Sequence, residues 1–205
     1  MLSLSGVTAY NGSTPIFTDL SCQFPSRAVS GIFGVNGIGK TSLLQCMIHA
    51  KRYSGEILFD NKPIDTAAGS VALVESEPCF HEGLTGSQNI KMICPKLKTE
   101  SIPLVAPSLL KRKVATYSHG ERIRFALGVA IALKPSLLLL DEPSLGLDPE
   151  GQSTLRKIIR GAAKRATVIV VDHNPDFIRD IADHVFEFTG DGIREVSGRR
   201  ARREA

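Results

Sequence analysis

Residues 34–41, Gly34-Val35-Asn36-Gly37-Ile38-Gly39-Lys40-Thr41, fit the pattern G-x-x-x-x-G-K-[ST], and their types suit the binding of a di- or triphosphate. Glycines let the backbone fold back so that its N–H groups surround an anion, and a following helix turns its positive dipole end toward the same charge. Lys40 would then reach the β- and γ-phosphates, Thr41 would offer its hydroxyl to a magnesium ion, and Ser42 would donate one more hydrogen bond to phosphate. The flanks agree with this reading. Val29-Ser30-Gly31-Ile32-Phe33 reads as a short buried strand, and Thr41 to Ile48 lacks helix breakers.

A second set of reactive groups follows Leu137-Leu138-Leu139-Leu140, a run suited to a central parallel strand buried on both faces. Asp141 and Glu142 close it. Ligands of open α/β sheets bind at the carboxyl ends of strands, which brings these acids to the glycine loop. Asp141 is placed to hold magnesium through water, and Glu142 to orient or deprotonate an attacking water. Two acids in a strand-end turn are ordinary by themselves; beside a phosphate loop they are not. The β-branched run Thr167 to Val171 also ends in polar groups, Asp172 and His173, and His173 is a candidate to contact a γ-phosphate or its water.

The elements that must position these groups read as an α/β fold: a phosphate-loop core with a mostly parallel sheet, an N-terminal antiparallel β layer and a short inserted helical subdomain. Met1 to Val7 alternates as a strand does, and Ile16 to Phe24 supplies its antiparallel partner beyond the Asn11-Gly12 turn. Tyr10, just before that turn, is equally a packed surface aromatic or a platform for a base. Gly55 to Ile64 reads as a hairpin, and Ser70 to Val74 as another buried strand. Composition changes from Gly86 to Thr116, where Pro95, Pro103 and Pro107 interrupt any long helix, so a helical insert is expected at about 86–130 within one domain spanning 1–205. Ser118 would cap the helix read from Arg122 to Leu133, with Glu121 completing a capping box. Leu145 to Pro149 forms a tight turn into a helix from about Glu150 to Lys164.

The 205 residues, 42% hydrophobic, suit one well-buried core. No apolar run has the length of a membrane span and the start lacks a signal-peptide pattern, so a cytoplasmic location is expected. Cys22, Cys46, Cys79 and Cys94 are scattered without C-x-x-C spacing, which predicts reduced structural thiols rather than a zinc site or disulfides. The net charge of +4 gathers at Arg199, Arg200, Arg202 and Arg203, read as a solvated tail.

In order along the chain, Tyr10, the glycine loop, Ser118-His119-Gly120-Glu121, the strand ending in Asp141-Glu142, Asp148 and His173 resemble the motifs of the ATP-binding-cassette (ABC) ATPases. The resemblance covers nearly the whole chain. It implies an adenine-stacking role for Tyr10, a Walker A loop at 34–41, a signature segment with Ser118 and Gly120 facing a γ-phosphate, a Walker B strand with Glu142 as catalytic base, a D-loop at Asp148 and a switch histidine at His173. It further implies ATP and Mg2+ as cofactors, two ATP molecules sandwiched in a head-to-tail dimer with itself or a paired cassette, and integral-membrane permease subunits that hold the chain at the inner face of the cell membrane. Nucleic acid is not expected as a partner. The chain departs from the family where His119 replaces a glycine, where Tyr117 replaces a leucine, and where Glu75, Ser76 or Glu77 occupies the region of the glutamine that couples magnesium to the permease. Its insert is also shorter than usual. A bare cassette of this size, expected to carry no C-terminal regulatory domain, resembles the small haem-exporter ATPase of bacterial cytochrome c maturation, which implies haem export. The alternatives are a soluble cassette ATPase acting on nucleic acid or ribosomes, a degenerate cassette that binds ATP with little turnover, and a small-molecule kinase, which the Asp141-Glu142 pair and the signature segment argue against.

Overall fold

The computed structural model describes residues 1–64, 70–99 and 102–198; the arginine-rich terminus lies outside the described residues. Strands β1 (Leu2–Asn11) and β2 (Thr14–Phe24) pair antiparallel across the Asn11-Gly12 turn. With β4 (Tyr53–Phe59) and β5 (Lys62–Pro63) they form a four-stranded sheet in the order β2-β1-β4-β5. The alternation in β1 changes phase. Leu2 and Leu4 point inward, then Val7 and Ala9, because the register shifts between Leu4 and Val7 around Gly6, whose φ of 60° favours glycine.

The second sheet has six strands in the order β10-β9-β3-β8-β7-β6. Strands β3 (Val29–Phe33), β6 (Val71–Val74), β7 (Leu137–Asp141), β8 (Thr167–Asp172) and β9 (His184–Thr189) run parallel, and β10 (Gly192–Gly198) returns antiparallel along β9. The leucine run shows why the sheet is covered on both sides. Leu137 and Leu139 pack toward helix α1 (Lys40–Met47) and the antiparallel sheet, while Leu138 and Leu140 pack toward α4 (His119–Ala132), α5 (Pro149–Ala163) and α6 (Pro175–Ile181). All four are fully or almost fully buried, each stabilising the fold by about 1.5–3 kcal/mol relative to exposure.

A third apolar cluster joins α2 (Gly86–Ile93), α3 (Pro107–Lys111) and the outer face of α4, centred on Ile90, Val114, Tyr117 and Phe125. Helix α4 thus serves two cores, since Ile123 and Leu127 face the parallel sheet and Phe125 and Val129 face the smaller cluster. Two sequence expectations need correction. The segment read as a buried strand at 70–74 is an edge strand, with only Val74 buried, because among the described residues nothing pairs on its outer side. The helix expected from Arg122 begins at His119, directly after its cap. No helix among the described residues is long and apolar enough to cross a membrane.

Candidate functional site

The glycine loop joins β3 to α1, and two of its glycines adopt positive φ, 82° at Gly37 and 110° at Gly39. Gly39 is the N-cap of α1, and a Cβ there would lie 2.9 Å from Cγ2 of Ile16 and 3.0 Å from Cδ1 of Phe17. Gly34 is constrained in another way: a Cβ on it would stand 2.5 Å from the carbonyl oxygen of Phe188. The first turn of α1 carries no acid and its cap supplies no side-chain acceptor, so its N–H groups face the loop unneutralised. Lys40 is 5% exposed; its Nζ donates to the carbonyls of Gly34 at 2.9 Å and Val35 at 3.2 Å. Asn36, Gly37, Thr41 and Ser42 line a cavity of about 400 Å³ with Lys40 and Glu142, while Val35 and Ile38 shape the loop through a turn closed by Ile38 N–H and the Val35 carbonyl.

Strand β8 lies between β3 and β7, so the polar groups at its end fall between the loop and the paired acids. Asp141, 3% exposed, shares a hydrogen bond with the Thr41 side chain, and its other features follow from burial. Desolvation raises its pKa above the ordinary carboxylate value; the Thr41 bond and the Lys40 charge oppose that shift, and Glu142 and Glu75 add to it. Its Oδ1 is buried without a partner. At Glu142 the chain leaves the strand with φ 45°, a left-handed conformation that turns the side chain toward Lys40 while its N–H still donates to the Val171 carbonyl at 2.8 Å. Oε1 of Glu142 lies 4.0 Å from Lys40 Nζ, and Oε2 lies 3.2 Å from Nδ1 of His173. Because the carboxylate only accepts, Nδ1 carries the proton in that bond. Asp172 is fully buried and accepts from the N–H groups of Ser144 and Asn174, fixing the turn that carries His173.

Other predicted residues lie apart from this cluster. Tyr10 does not line the phosphate cavity: its hydroxyl is 3.4 Å from Ser54 Oγ and the Arg52 guanidinium sits 5.7 Å over its ring, while the neighbouring Asn11 and Ile16 do line it. Ser118, Gly120 and Asp148 border a second cavity of about 460 Å³ between the starts of α4 and α5. Ser118 accepts from Glu121 N–H and Glu121 accepts from Ser118 N–H, a complete capping box, and Asp148 caps α5 by accepting from Gly151 N–H at 2.8 Å. His119 packs beside Gly146, with Nε2 buried and unpartnered. Within one chain the two cavities share no lining residue. Sequence reasoning missed Lys51, which faces the phosphate cavity from beyond α1, since a lone lysine after a helix carries no motif.

The family model described as ABC transporter matches residues 17–145. The chain belongs to the ABC transporter family. Among curated relatives of this ABC protein, YdbJ of Bacillus subtilis, an uncharacterized ABC transporter ATP-binding protein, is 31% identical over 200 residues, covering 90% of this chain and 65% of its own length. The chain therefore spans about 65% of the length of that relative. The lantibiotic transport ATP-binding protein SrtF of Streptococcus pyogenes is 26% identical over 206 residues, covering 95% of this chain and 90% of SrtF. Among solved structures, cbiO1 of Clostridium perfringens, part of the ABC transporter complex cbiONQ, matches with TM-score 0.80 and 26% identity over 94% of this chain and 86% of that one. The dimeric ABC transporter cassette MJ0796 shares the fold, with TM-score 0.82 and 18% identity over 97% of this chain and 100% of its own.

The donor set fits a magnesium ion. A buried carboxylate with an orphaned oxygen stands beside a threonine hydroxyl at the mouth of a phosphate loop, and magnesium is held by one or two carboxylates together with substrate phosphates.

Proposed function

We propose that this chain binds and hydrolyses ATP as the motor subunit of an ABC transporter, working through a separate integral-membrane permease at the inner face of the membrane. The observation that carries the reading is Glu142, held between Lys40 and His173 at the end of β7, next to the Thr41–Asp141 bond. The loop N–H groups and Lys40 hold the β- and γ-phosphates. Thr41 and Asp141 would hold Mg2+, which would supply neutralisation of phosphate charge. Glu142 accepts a proton from a water whose oxygen attacks the γ-phosphorus as the bond to the bridging oxygen breaks, releasing ADP and phosphate. His173 fixes the carboxylate for that transfer. Ser118 and Gly120, remote from Lys40 in the same chain, complete the site of a second copy or a paired cassette in a head-to-tail dimer. We take the chain as one such domain, with the helices from 86 to about 130 as its insert and Tyr10 at the edge reached by the base.

The cargo belongs to the permease. Haem export draws only on chain length, whereas the relatives' names specify energy-coupling factor, lantibiotic and bacitracin transporters, and we do not carry haem into the proposal. The relatives named as transporter subunits favour this reading over a soluble cassette acting on nucleic acid or ribosomes, and Glu142 beside Lys40 and His173 favours turnover over a cassette that only binds ATP. The test is ATP turnover by the purified chain, alone and with membranes containing its permease: slow turnover accelerated by those membranes supports the transporter reading, and fast turnover indifferent to them supports the soluble one.

A further inference from the structure

At the amino-terminal ends of β7 and β8, opposite the strand ends that carry Asp141 and His173, a cleft of about 480 Å³ opens between the last turns of α4 and α5. That volume lies within the range of small-molecule sites. Its floor is aliphatic, with Ile131 from α4, Leu138 from β7, Ile158 and Ala162 from α5, and Leu104 from the segment before α3. Its rim is basic. Lys134, Lys157, Lys164 and Arg165 are exposed there with no acid in the lining, and none of the four side chains makes an ion pair among the described residues.

Cations elsewhere on the same helix are engaged: Arg156 forms an ion pair with Asp180 at 2.8 Å, and Arg160 donates to the Asp180 carbonyl. Lys134, Lys164 and Arg165 stand at helix ends, where cations complement the negative end of the helix dipole. Lys157 is in the middle of α5, and the dipole does not account for it. Two backbone features belong to the same cleft. Gly161 lies inside α5 on the cleft wall, where glycine costs a helix about 0.8–1 kcal/mol against alanine. Neither conformation nor crowding requires it, since its φ is not positive and a Cβ there would meet nothing within 4 Å. Leu104 is held at φ 72°, a strained conformation for a bulky residue, and is exposed at the cleft.

The lining selects a chemistry. No aromatic ring among the described residues lines the cleft to stack on a base, whereas aliphatic walls suit a hydrocarbon chain. Four cations suit a headgroup of nearly two negative charges, as a phosphate monoester carries at neutral pH.

We propose that this cleft binds a soluble anionic amphiphile, an unbranched aliphatic chain ending in a phosphate monoester. The chain lies on Leu138 and Ile158, and the phosphate lies among Lys134, Lys157, Lys164 and Arg165. The cleft shares no lining residue with the phosphate cavity, so the proposal goes beyond the nucleotide reading and stands apart from it. Ile158 also lines the cavity beside Ser118 and Asp148, which sets the occupant against the helix pair that carries both.

The experiment is calorimetric titration of octyl phosphate, below its micelle concentration, into the full chain with excess AMP-PNP to occupy the phosphate loop. Wild type is expected to bind saturably, and octanol and inorganic phosphate, each lacking half of the ligand, should bind about tenfold or more weakly. The double variant Lys157→Gln, Lys164→Gln should lose about tenfold or more. Gly161→Leu should lose about as much by filling the cleft, while Lys91→Gln on α2 should stay within about twofold. Melts check folding, and Gly161→Leu is expected to melt no lower than wild type because leucine is the better helix former. Absence of saturable binding, either cleft variant within about twofold of wild type, an equal loss in Lys91→Gln, or octanol or phosphate binding as tightly as octyl phosphate each overturns the proposal. Sedimentation with phosphatidic-acid vesicles separates the sources: vesicle binding without binding of monomeric octyl phosphate would assign the cleft to a membrane surface and overturn the soluble ligand. The cleft variants report on this site whether or not AMP-PNP binds, so failure of the nucleotide reading is read separately.

Discussion

Nδ1 of His173 lies 3.2 Å from Oε2 of Glu142, while Oε1 of the same carboxylate lies 4.0 Å from Nζ of Lys40. One acid is thus held from two sides, by the end of β8 and by the phosphate loop. Glu142 needs such support because it sits at φ 45°, just beyond the strand that would otherwise fix it. His173→Ala is expected to lower kcat by about a hundredfold, the scale of a misaligned general base, with ATP affinity within a few-fold of wild type. Steady-state kinetics beside direct nucleotide titration separates these effects, and a rise in KM with kcat unchanged would assign His173 to binding instead.

Lys40→Ala removes the charge facing the phosphates while the loop glycines and the α1 N–H groups remain. Charge-assisted hydrogen bonds contribute about 1.5–3 kcal/mol each, which corresponds to about 10–100-fold in ATP affinity. Calorimetric titration should show a loss on that scale with little change in melting temperature. Affinity within a few-fold of wild type would contradict the assignment.

Asp141 predicts a trade between stability and function. Its folded-state pKa is raised above the ordinary 3.8 by desolvation, so the folded chain holds that proton more tightly than the unfolded chain does. Ionisation therefore costs stability as pH rises from 3.8 through the raised value, and below 3.8 the cost vanishes. Asp141→Asn, without metal or nucleotide, should melt higher than wild type at pH 7, by about 2–4 °C for each kcal/mol relieved, and the gain should disappear near pH 3. The same variant should lose metal-dependent ATP hydrolysis. A lower melting temperature at pH 7 would show that the carboxylate stabilises the fold.

The separation of Ser118 and Gly120 from Lys40 makes assembly testable. Glu142→Gln should bind ATP without consuming it and elute as a dimer in size-exclusion chromatography only when ATP is present. Adding Ser118→Arg should abolish the shift while leaving ATP binding to the phosphate loop. Because the Ser118 side chain also caps α4, at a cost of about 0.5–2 kcal/mol on replacement, a melt of the double variant must accompany the run. A monomer with ATP bound would contradict the head-to-tail site.

Much of this was legible because motif and element coincide. The glycine loop lies between β3 and α1, the leucine run is β7, and the capping box at Ser118 is intact, each set by residues within a few positions of one another. What escaped depends on neighbours across strands. Ser70 to Val74 reads as buried from its apolar content, yet among the described residues no strand lies beyond β6 in the sheet, a fact no local pattern carries. Glu75 is brought near enough to Asp141 for its charge to act on it through the β6–β7 register, across more than sixty positions of chain. Asp148 illustrates the converse: its type suits a nucleotide contact, and its carboxylate is engaged in capping α5.

The central claim is that Glu142 takes the proton from the attacking water. Single-turnover release of labelled γ-phosphate from ATP by Glu142→Gln, at ATP concentrations shown to saturate the variant, tests it most directly. The predicted result is a rate about 10²–10⁴-fold below wild type with ATP affinity within a few-fold. A variant that binds ATP and releases phosphate at the wild-type rate would contradict it.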